Sequence, residues 1–380
     1  MMIVGLRMLI GDKTKLLGLV FGVAFSTLLI CQQVSIFFGL LGRASSVVND
    51  VREADIWVMD PAVTTIDVPF PLRETELPRV RGVQGVSWAV PFFKAVVQVR
   101  TREGKLENAV ILGIDDASLV GVPDTFQLGS IEDLAQPDAI AVNPAGFRLL
   151  FPGEELDQGR EIELNDRRAR IVAIVDAAPA FAANLTIFCR YSLATQYTNN
   201  GRNALSFIVA KTEPGRDPAE VARGIADKTG LKASTSAEFR MESIDYILKN
   251  TGIPVSFGTV VILGVIIGIA IVGLTFNQFV MENLKQYAAL KAIGIRNTRL
   301  FLMTLGQAGF VGIIGYGLGL GAASVFFSQT SRKVDALRGF YLLPEVAVGV
   351  AVLAVLIVFV STLISLRRVL VVDPATVFRG

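Results

Sequence analysis

Histidine is absent from all 380 residues, and cysteine occurs only twice, as Cys31 and Cys189. The first absence excludes histidine-based acid–base catalysis and histidine-ligated zinc. The second makes an intramolecular disulfide improbable, because Cys31 sits in a long apolar run and Cys189 in a distant polar segment. No G-x-x-x-x-G-K-[ST] segment occurs, so the chain has no P-loop for nucleotide phosphates, and any ATP chemistry must come from a partner. Nucleophile elbows, metal-ligand clusters and glycine-rich phosphate loops are also missing. Charge is scarce too: 18% of residues are charged against 52% hydrophobic, apolar for a soluble domain of this size.

What is present is a set of four stretches without a single charged side chain: 16–42, 250–281, 300–331 and 346–366. About 20 helical residues cross the hydrocarbon core of a bilayer, so each stretch can span once. The first is too long for the apolar region of a cleaved signal peptide and is not followed by a clear cleavage site. Lysine and arginine set the orientation. Arg7, Lys13, Lys15, Lys285, Lys291, Arg296, Arg299, Arg367, Arg368 and Arg379 flank the spans on one side, opposed there only by Asp12, Glu282 and Asp373. The segment 43–249 carries more acids than bases, and the 332–345 loop, with Arg332, Lys333 and Arg338, weakens the contrast without reversing it. The expected order is a cytoplasmic amphipathic segment over 1–15, a span over 16–42, an outer domain over 43–249 and a span over 250–281. A cytoplasmic connector over 282–299, a span over 300–331, a short outer loop over 332–345, a span over 346–366 and a cytoplasmic tail over 367–380 complete it. Both termini are then cytoplasmic.

In the opening segment, Ile3, Leu6, Met8, Leu9 and Ile10 stand beside Arg7 and Lys13, a pattern suited to the inner headgroup region. The outer domain reads as α+β. "IWVM" from Ile56 is a strand, and "SWAVPFFKAVVQVRTREGKLENAVILGID" is a hairpin turning at Glu103 and Gly104. "DAIAVNPAGFRLLF" is a strand and a short helix after Asn143, and "REIELNDRRARIVAIVD" is a second hairpin turning at Asn165 and Asp166. "LSFIVAKTEPG" is a strand, and "DPAEVARGIADKTG" is a helix capped by Asp217, with Pro218 in its first turn and Gly230 at its end. The adjacent acids Asp115 and Asp116, Glu154 and Glu155, and Glu161 and Glu163 read as solvated loop and hairpin residues rather than a catalytic pair.

Glycines recur at helix-packing spacing: Gly18 and Gly22, Gly264 and Gly268, and Gly315 and Gly319 with Gly317 and Gly321. That spacing permits close backbone approach between spans, within one chain or between two. The absence of acids and bases inside the spans argues against an ion or proton pathway. In the connector, a wheel at 100° per residue puts Met281, Leu284, Ala288, Ala292 and Ile295 on one stripe, with Glu282, Asn283 and Gln286 opposite but interleaved with Ala289, Leu290 and Ile293, so the helix is apolar on more than one side. Gly294 reads as its C-cap, and Asn297 or Thr298 as the cap of the next span. Pattern alone leaves two readings open, a plain solvated connector and a helix caught between the membrane and a second protein.

"ENLKQYAALKAIGI", directly after the second span, resembles the R-x-x-E-x-x-x-L-K-A-I-G signature of FtsX-like and MacB-like ABC transporter permeases, closest to the DevC type of cyanobacterial glycolipid export. The likeness extends through "GLRMLIGDKTKL", "AVPFF", "VILGID", "AIAVNPAGFRLLF" and "RIVAIVD" to the closing "LRRVLVVDPATVFRG", where Phe378 replaces the usual leucine. It implies a dimeric α-helical membrane protein with four transmembrane helices and a large, two-part α+β extracytoplasmic domain, in the bacterial inner membrane. The chain itself would be non-catalytic and bind no cofactor, with ATP and Mg held by a separate ABC ATPase subunit. Carried over from the family, Glu282, Asn283, Lys285, Gln286, Leu290, Lys291, Ala292, Ile293 and Gly294 would form the coupling helix that docks on that ATPase. The other implied partners are a second copy of the chain, a periplasmic adaptor (membrane fusion protein), an outer-membrane channel and the lipid bilayer, with no nucleic acid among them. Export of an amphiphile such as a glycolipid is the expected role; the alternative is an FtsX-like mechanotransmission regulator of a periplasmic cell-wall hydrolase, without cargo.

Overall fold

Apolar and mixed sequence separate into two units in the computed structural model, which describes residues 2–198, 204–333 and 340–371. The helical unit takes the chain up to Phe38, Gly252–Arg332 and the part from Phe340 on; Gly39–Thr251 form the α/β unit. Part of the 332–345 loop, and the tail with Pro374, Phe378 and Arg379, lie outside the described residues.

Two helices open the chain, α1 (Met2–Gly11) and α2 (Lys13–Ala44). They part at Asp12, whose carboxylate accepts the Lys15 amide at 3.1 Å and caps α2. The α/β unit follows as α3 (Ser46–Asp50), β1 (Ile56–Met59), β2 (Leu72–Arg73), α4 (Glu76–Arg81), β3 (Val86–Arg100), β4 (Leu106–Ile114), β5 (Phe126–Leu128), β6 (Ala139–Val142) and α5 (Pro144–Leu150). It continues as β7 (Glu161–Leu164), β8 (Arg167–Val175), β9 (Leu185–Arg190), α6 (Tyr191–Tyr197), β10 (Ala204–Leu205), β11 (Phe207–Thr212), α7 (Pro218–Thr229), β12 (Lys232–Thr235) and α8 (Ser236–Asn250).

A 10-stranded sheet runs β12-β1-β11-β3-β4-β9-β6-β8-β5, with β7 pairing β3 and β8. The 15-residue β3 joins its two parts: Val86–Phe92 pair with β11, and Phe93–Arg100 pair with β4. Trp57, Phe92, Phe207 and Phe239 pack as one aromatic group in the core on one side of this sheet. A second core gathers Phe147, Ile187 and Val99. Local chemistry explains the elements the sequence announced. Asn165 and Asp166 take φ of 45° and 62°, the left-handed pair of a type I′ hairpin. Asp217 accepts the Ala219 amide at the start of α7, and Gly230 closes it at φ 74°. Glu161 pairs with Arg168 across the β7–β8 hairpin and Glu163 with Arg100 on the neighbouring β3, consistent with their reading as solvated surface.

The helical unit is completed by α9 (Ile253–Glu282), α10 (Leu284–Ala292), α11 (Asn297–Lys333) and α12 (Pro344–Val371). Among the described residues, four helical segments are long and apolar enough to cross a membrane: Lys13–Ala44, Ile253–Glu282, Asn297–Ser331 and Pro344–Ser365. Six of the eight glycines at helix-packing spacing form seams within one chain. A Cβ on Gly22 would come 2.7 Å from Ile271, and one on Gly18 3.2 Å from Thr275, so α2 lies against α9. Gly264 faces Ile30 and Gly268 faces Ser26 from the other side of the same contact. Gly315 stands where a Cβ would be 2.6 Å from Val23, and Gly319 where it would be 2.6 Å from Thr27, bringing α11 onto α2. Gly317 and Gly321 meet nothing within 4 Å. Between α12 and α9, the fully buried Ser361 and Ser365 hydroxyls donate to the Ile269 and Gly273 carbonyls at 3.2 Å each.

Candidate functional site

The connector between α9 and α11 is a broken helix. α9 ends at Glu282, and Asn283 folds back so that its Nδ2 donates to the Phe279 carbonyl at 2.9 Å. The Asn283 carbonyl then accepts from the Gln286 and Tyr287 amides and starts α10. This break interrupts the wheel drawn through Met281 to Ile295. The helical phase restarts at Asn283, so Met281 is 44% exposed and Ala292 exposed, while Tyr287 and Ala288 form the buried underside. Tyr287 is opposite in character to the alanines around it, and a wheel drawn through the break could not place it inward.

At the far end α10 closes in a Schellman motif. The Ile295 amide donates to the Leu290 carbonyl at 3.2 Å, and the Gly294 amide to the Lys291 carbonyl at 3.0 Å, with Gly294 at φ 89°. A side chain at Gly294 would strain that backbone, which gives the glycine its place in the motif. Leu290 and Ile295, the two residues this motif brings together, both pack against the helical core.

Beneath α10 the Tyr287 hydroxyl donates to Gln307 Oε1 at 3.2 Å, and Gln307 Nε2 donates to the Gly5 carbonyl at 2.7 Å. Burial pushes the Tyr287 phenol above its ordinary range, against the hydrogen bonds it makes with Thr304 and Gln307. It stays a neutral donor at any physiological pH. Outward, Glu282, Lys285, Gln286, Ala292, Ile293 and Gly294 are exposed, and Ile293 is 80% exposed. Glu282 is bonded by Gln278 at 3.2 Å and paired with Lys15 at 3.1 Å. Arg7, Met8 and Asp12 of the opening segment line a cleft of about 650 Å³ together with Glu282, Asn283 and Gln286. The site therefore offers a mixed polar and apolar face suited to binding a protein surface.

The MacB-like periplasmic core domain matches residues 16–228, more than half the chain, and the FtsX-like permease C-terminal domain matches residues 258–374. The chain belongs to the FtsX- and MacB-like ABC transporter permeases. An uncharacterized ABC transporter permease of Mycobacterium tuberculosis is 25% identical to this permease over 313 residues, 82% of this chain and 80% of the relative. One from Methanocaldococcus jannaschii is 23% identical over 237 residues, 60% of this chain and 58% of that one. Among solved structures, the extracellular domain of the noncanonic ABC-type transporter YknZ from Gram-positive bacteria is similar over 48% of this chain and 98% of its own, at TM-score 0.36 and 16% identity. The periplasmic region of MacB from Actinobacillus actinomycetemcomitans is similar over 54% of this chain and 98% of its own, at TM-score 0.37 and 12% identity.

In this permease the sequence-derived site residues divide into two groups. Glu282, Lys285, Gln286, Ala292, Ile293 and Gly294 lie on the open side, whereas Asn283, Leu290 and Lys291 are partly buried. Asn283 breaks the helix and Leu290 anchors it, so both shape the permease's connector more than they face outward. Tyr287 and Gln307 were not among the expected residues. The signal that could have found Gln307 is an uncompensated amide in an otherwise apolar run, which must find a partner inside.

Proposed function

We propose that this permease receives ATP-driven motion from a separate ABC ATPase at α10 and passes it to its α/β domain on the other side of the membrane. The observation that carries this reading is the two-faced α10: an underside locked by Tyr287 and Ala288, and an open side that carries Glu282, Lys285 and Gln286 at its start and the uncovered Ile293 at its end. An apolar side chain so placed at the tip of a rigid helix is the kind of anchor that a partner's pocket covers. ATP and Mg bind to the partner, since this chain has no P-loop. The lysine and arginine distribution supports a bacterial inner-membrane protein with both termini in the cytoplasm. Two copies work together, and the periplasmic domains meet an adaptor that leads to an outer-membrane channel. The cargo is an amphiphile such as a glycolipid, taken from the periplasm or the outer leaflet, because the charge-free spans provide no path for a polar substrate through the bilayer.

Gentle solubilisation of native membranes, affinity isolation of the full chain and identification of its companions test this. A Walker-motif ATPase together with a periplasmic adaptor is the expected result. The ATPase with a cell-wall hydrolase in place of the adaptor would replace export by regulation, and the absence of any ATPase would refute the docking role of α10.

A further inference from the structure

Gln307 is fully buried in α11, inside a run without charged residues. Its amide holds two other helices at once, donating to the Gly5 carbonyl of α1 and accepting from the Tyr287 hydroxyl of α10. The polarity of this bridge is forced. A backbone carbonyl can only accept, so the NH₂ end must face Gly5, and the remaining amide oxygen is then free to take the phenol proton. Nor can α1 stand off: a Cβ on Gly5 would lie 2.6 Å from Met303 Cγ, so the helix rests on α11 by its backbone, with Leu9 fully buried one turn on. The Lys15–Glu282 pair, in which Glu282 is half-exposed, makes a second, partly solvent-screened link between the start of α2 and the end of α9.

We infer that α1 is a working part of the coupling element, and that Gln307 is the positioning residue that makes α1 and α10 shift as one body. This rests on the docking role proposed for α10 and adds to it a second receiving helix. A push on Ile293 that moved α10 alone would strip Gln307 of its donor in a site closed to water, leaving a buried acceptor unsatisfied. Carrying α11 and α1 along preserves both hydrogen bonds. Because α2 starts two residues after α1 ends, the displacement enters two membrane-crossing helices together, α11 and α2.

Hydrogen–deuterium exchange on the full chain in lipid nanodiscs tests the clamp without any partner. Gln307→Leu, close in volume, removes both bonds; exchange over residues 2–11 and 284–292 should then accelerate together, by about tenfold, as expected for losing a buried hydrogen bond. Protection in the α/β unit should be unchanged, which shows that the chain is folded. Tyr287→Phe, which keeps the packing and removes only the α10 half of the Gln307 bridge, should give the same joint response at smaller amplitude and serves if Gln307→Leu does not insert. Unchanged exchange in α1 in both variants would overturn the inference. In the complex isolated with its ATPase, a non-hydrolysable ATP analogue should alter exchange in α10 and α1 of the native chain but only in α10 of Gln307→Leu, with the ATPase still bound. An equal response of α1 in the variant would overturn the inference. Failure of any ATPase to co-purify would instead count against the docking role, and the nanodisc measurement would still decide the clamp.

Discussion

Replacing Asp50 by asparagine should stabilise the α/β unit at neutral pH and flatten its pH dependence. Asp50 ends α3, and its Oδ2 is buried with no hydrogen-bond partner among the described residues. Burial pushes its carboxyl from the ordinary 3.8 up to about 7, Asp176 adds to the rise, and Arg52 partly offsets it. Between those two pH values the folded state binds a proton that the unfolded state has released, so stability falls as pH rises from about 4 to about 7 and is level above that. At about 1.4 kcal/mol for each tenfold difference in proton affinity, the ceiling on the loss is about 4 kcal/mol. Asp50→Asn removes the titration and keeps the shape. For a unit of this size, a change of that order corresponds to an upward shift of about 10 °C in the unfolding midpoint at pH 8. The assay is built into the molecule: the only two tryptophans, Trp57 and Trp88, both lie in the α/β unit, and Trp57 is fully buried in the core that also contains Val47, Val48 and Val51 of this region. Intrinsic fluorescence of the full chain in detergent therefore reports unfolding of this unit alone. Equal midpoints for the native and Asp50→Asn chains at pH 8, with the same slope between pH 5 and pH 8, would refute the raised proton affinity assigned to the buried Asp50.

Three other perturbations follow from the geometry. Ile293→Asp should lower ATPase co-purification about tenfold or more, as loss of a covered anchor does, while leaving the thermal midpoint unchanged; Leu290→Asp should lower both, because Leu290 packs on the helical core. Gly319→Leu should destabilise the helical unit by about 1–3 kcal/mol, because its side chain would drive into Thr27, whereas Gly317→Leu should be neutral; detergent-resistant monodispersity on heating separates them. Lys94 is buried with its ammonium 2.6 Å from Asp67 and 3.1 Å from the Ile66 carbonyl. Lys94→Met should cost about 3–5 kcal/mol by tryptophan fluorescence, and adding Asp67→Asn should recover part of it, since the main penalty is the carboxylate left without its cation.

The parts of the fold that depend on neighbouring residues were legible in the sequence. Asn165-Asp166 specified its own left-handed turn, Asp217 and Gly230 bracketed α7, and Asn143 capped α5 with its Oδ1 accepting the Gly146 amide at 3.1 Å. The parts that depend on distant partners were not. β4 pairs in parallel with β9, and β6 with β8, contacts that no local pattern encodes. α8 is an exception that could have been read, because Thr235 and Glu238 form a reciprocal capping box at its start. The glycine spacings announced close helix packing, yet only the structure assigns them to α2–α9 and α2–α11 within one chain. In the candidate site, six of the nine connector residues expected from the family resemblance lie exposed, Asn283, Leu290 and Lys291 are partly buried, and the buried Tyr287 was not foreseen. The reason is the break at Asn283: one side chain bonded to the Phe279 carbonyl resets the helical phase and turns Tyr287 inward to Gln307.

The claim that motion of a cytoplasmic ATPase reaches the α/β domain is tested most directly by a distance. Spin labels at Leu106→Cys, an exposed position in β4, would be placed on both copies of the isolated complex; the native Cys31 and Cys189 are buried and should not compete for label. Double electron–electron resonance without nucleotide and with vanadate-trapped ADP should then give two different distance distributions between the α/β domains. Identical distributions, with trapping verified by lost ATP turnover, would contradict the account.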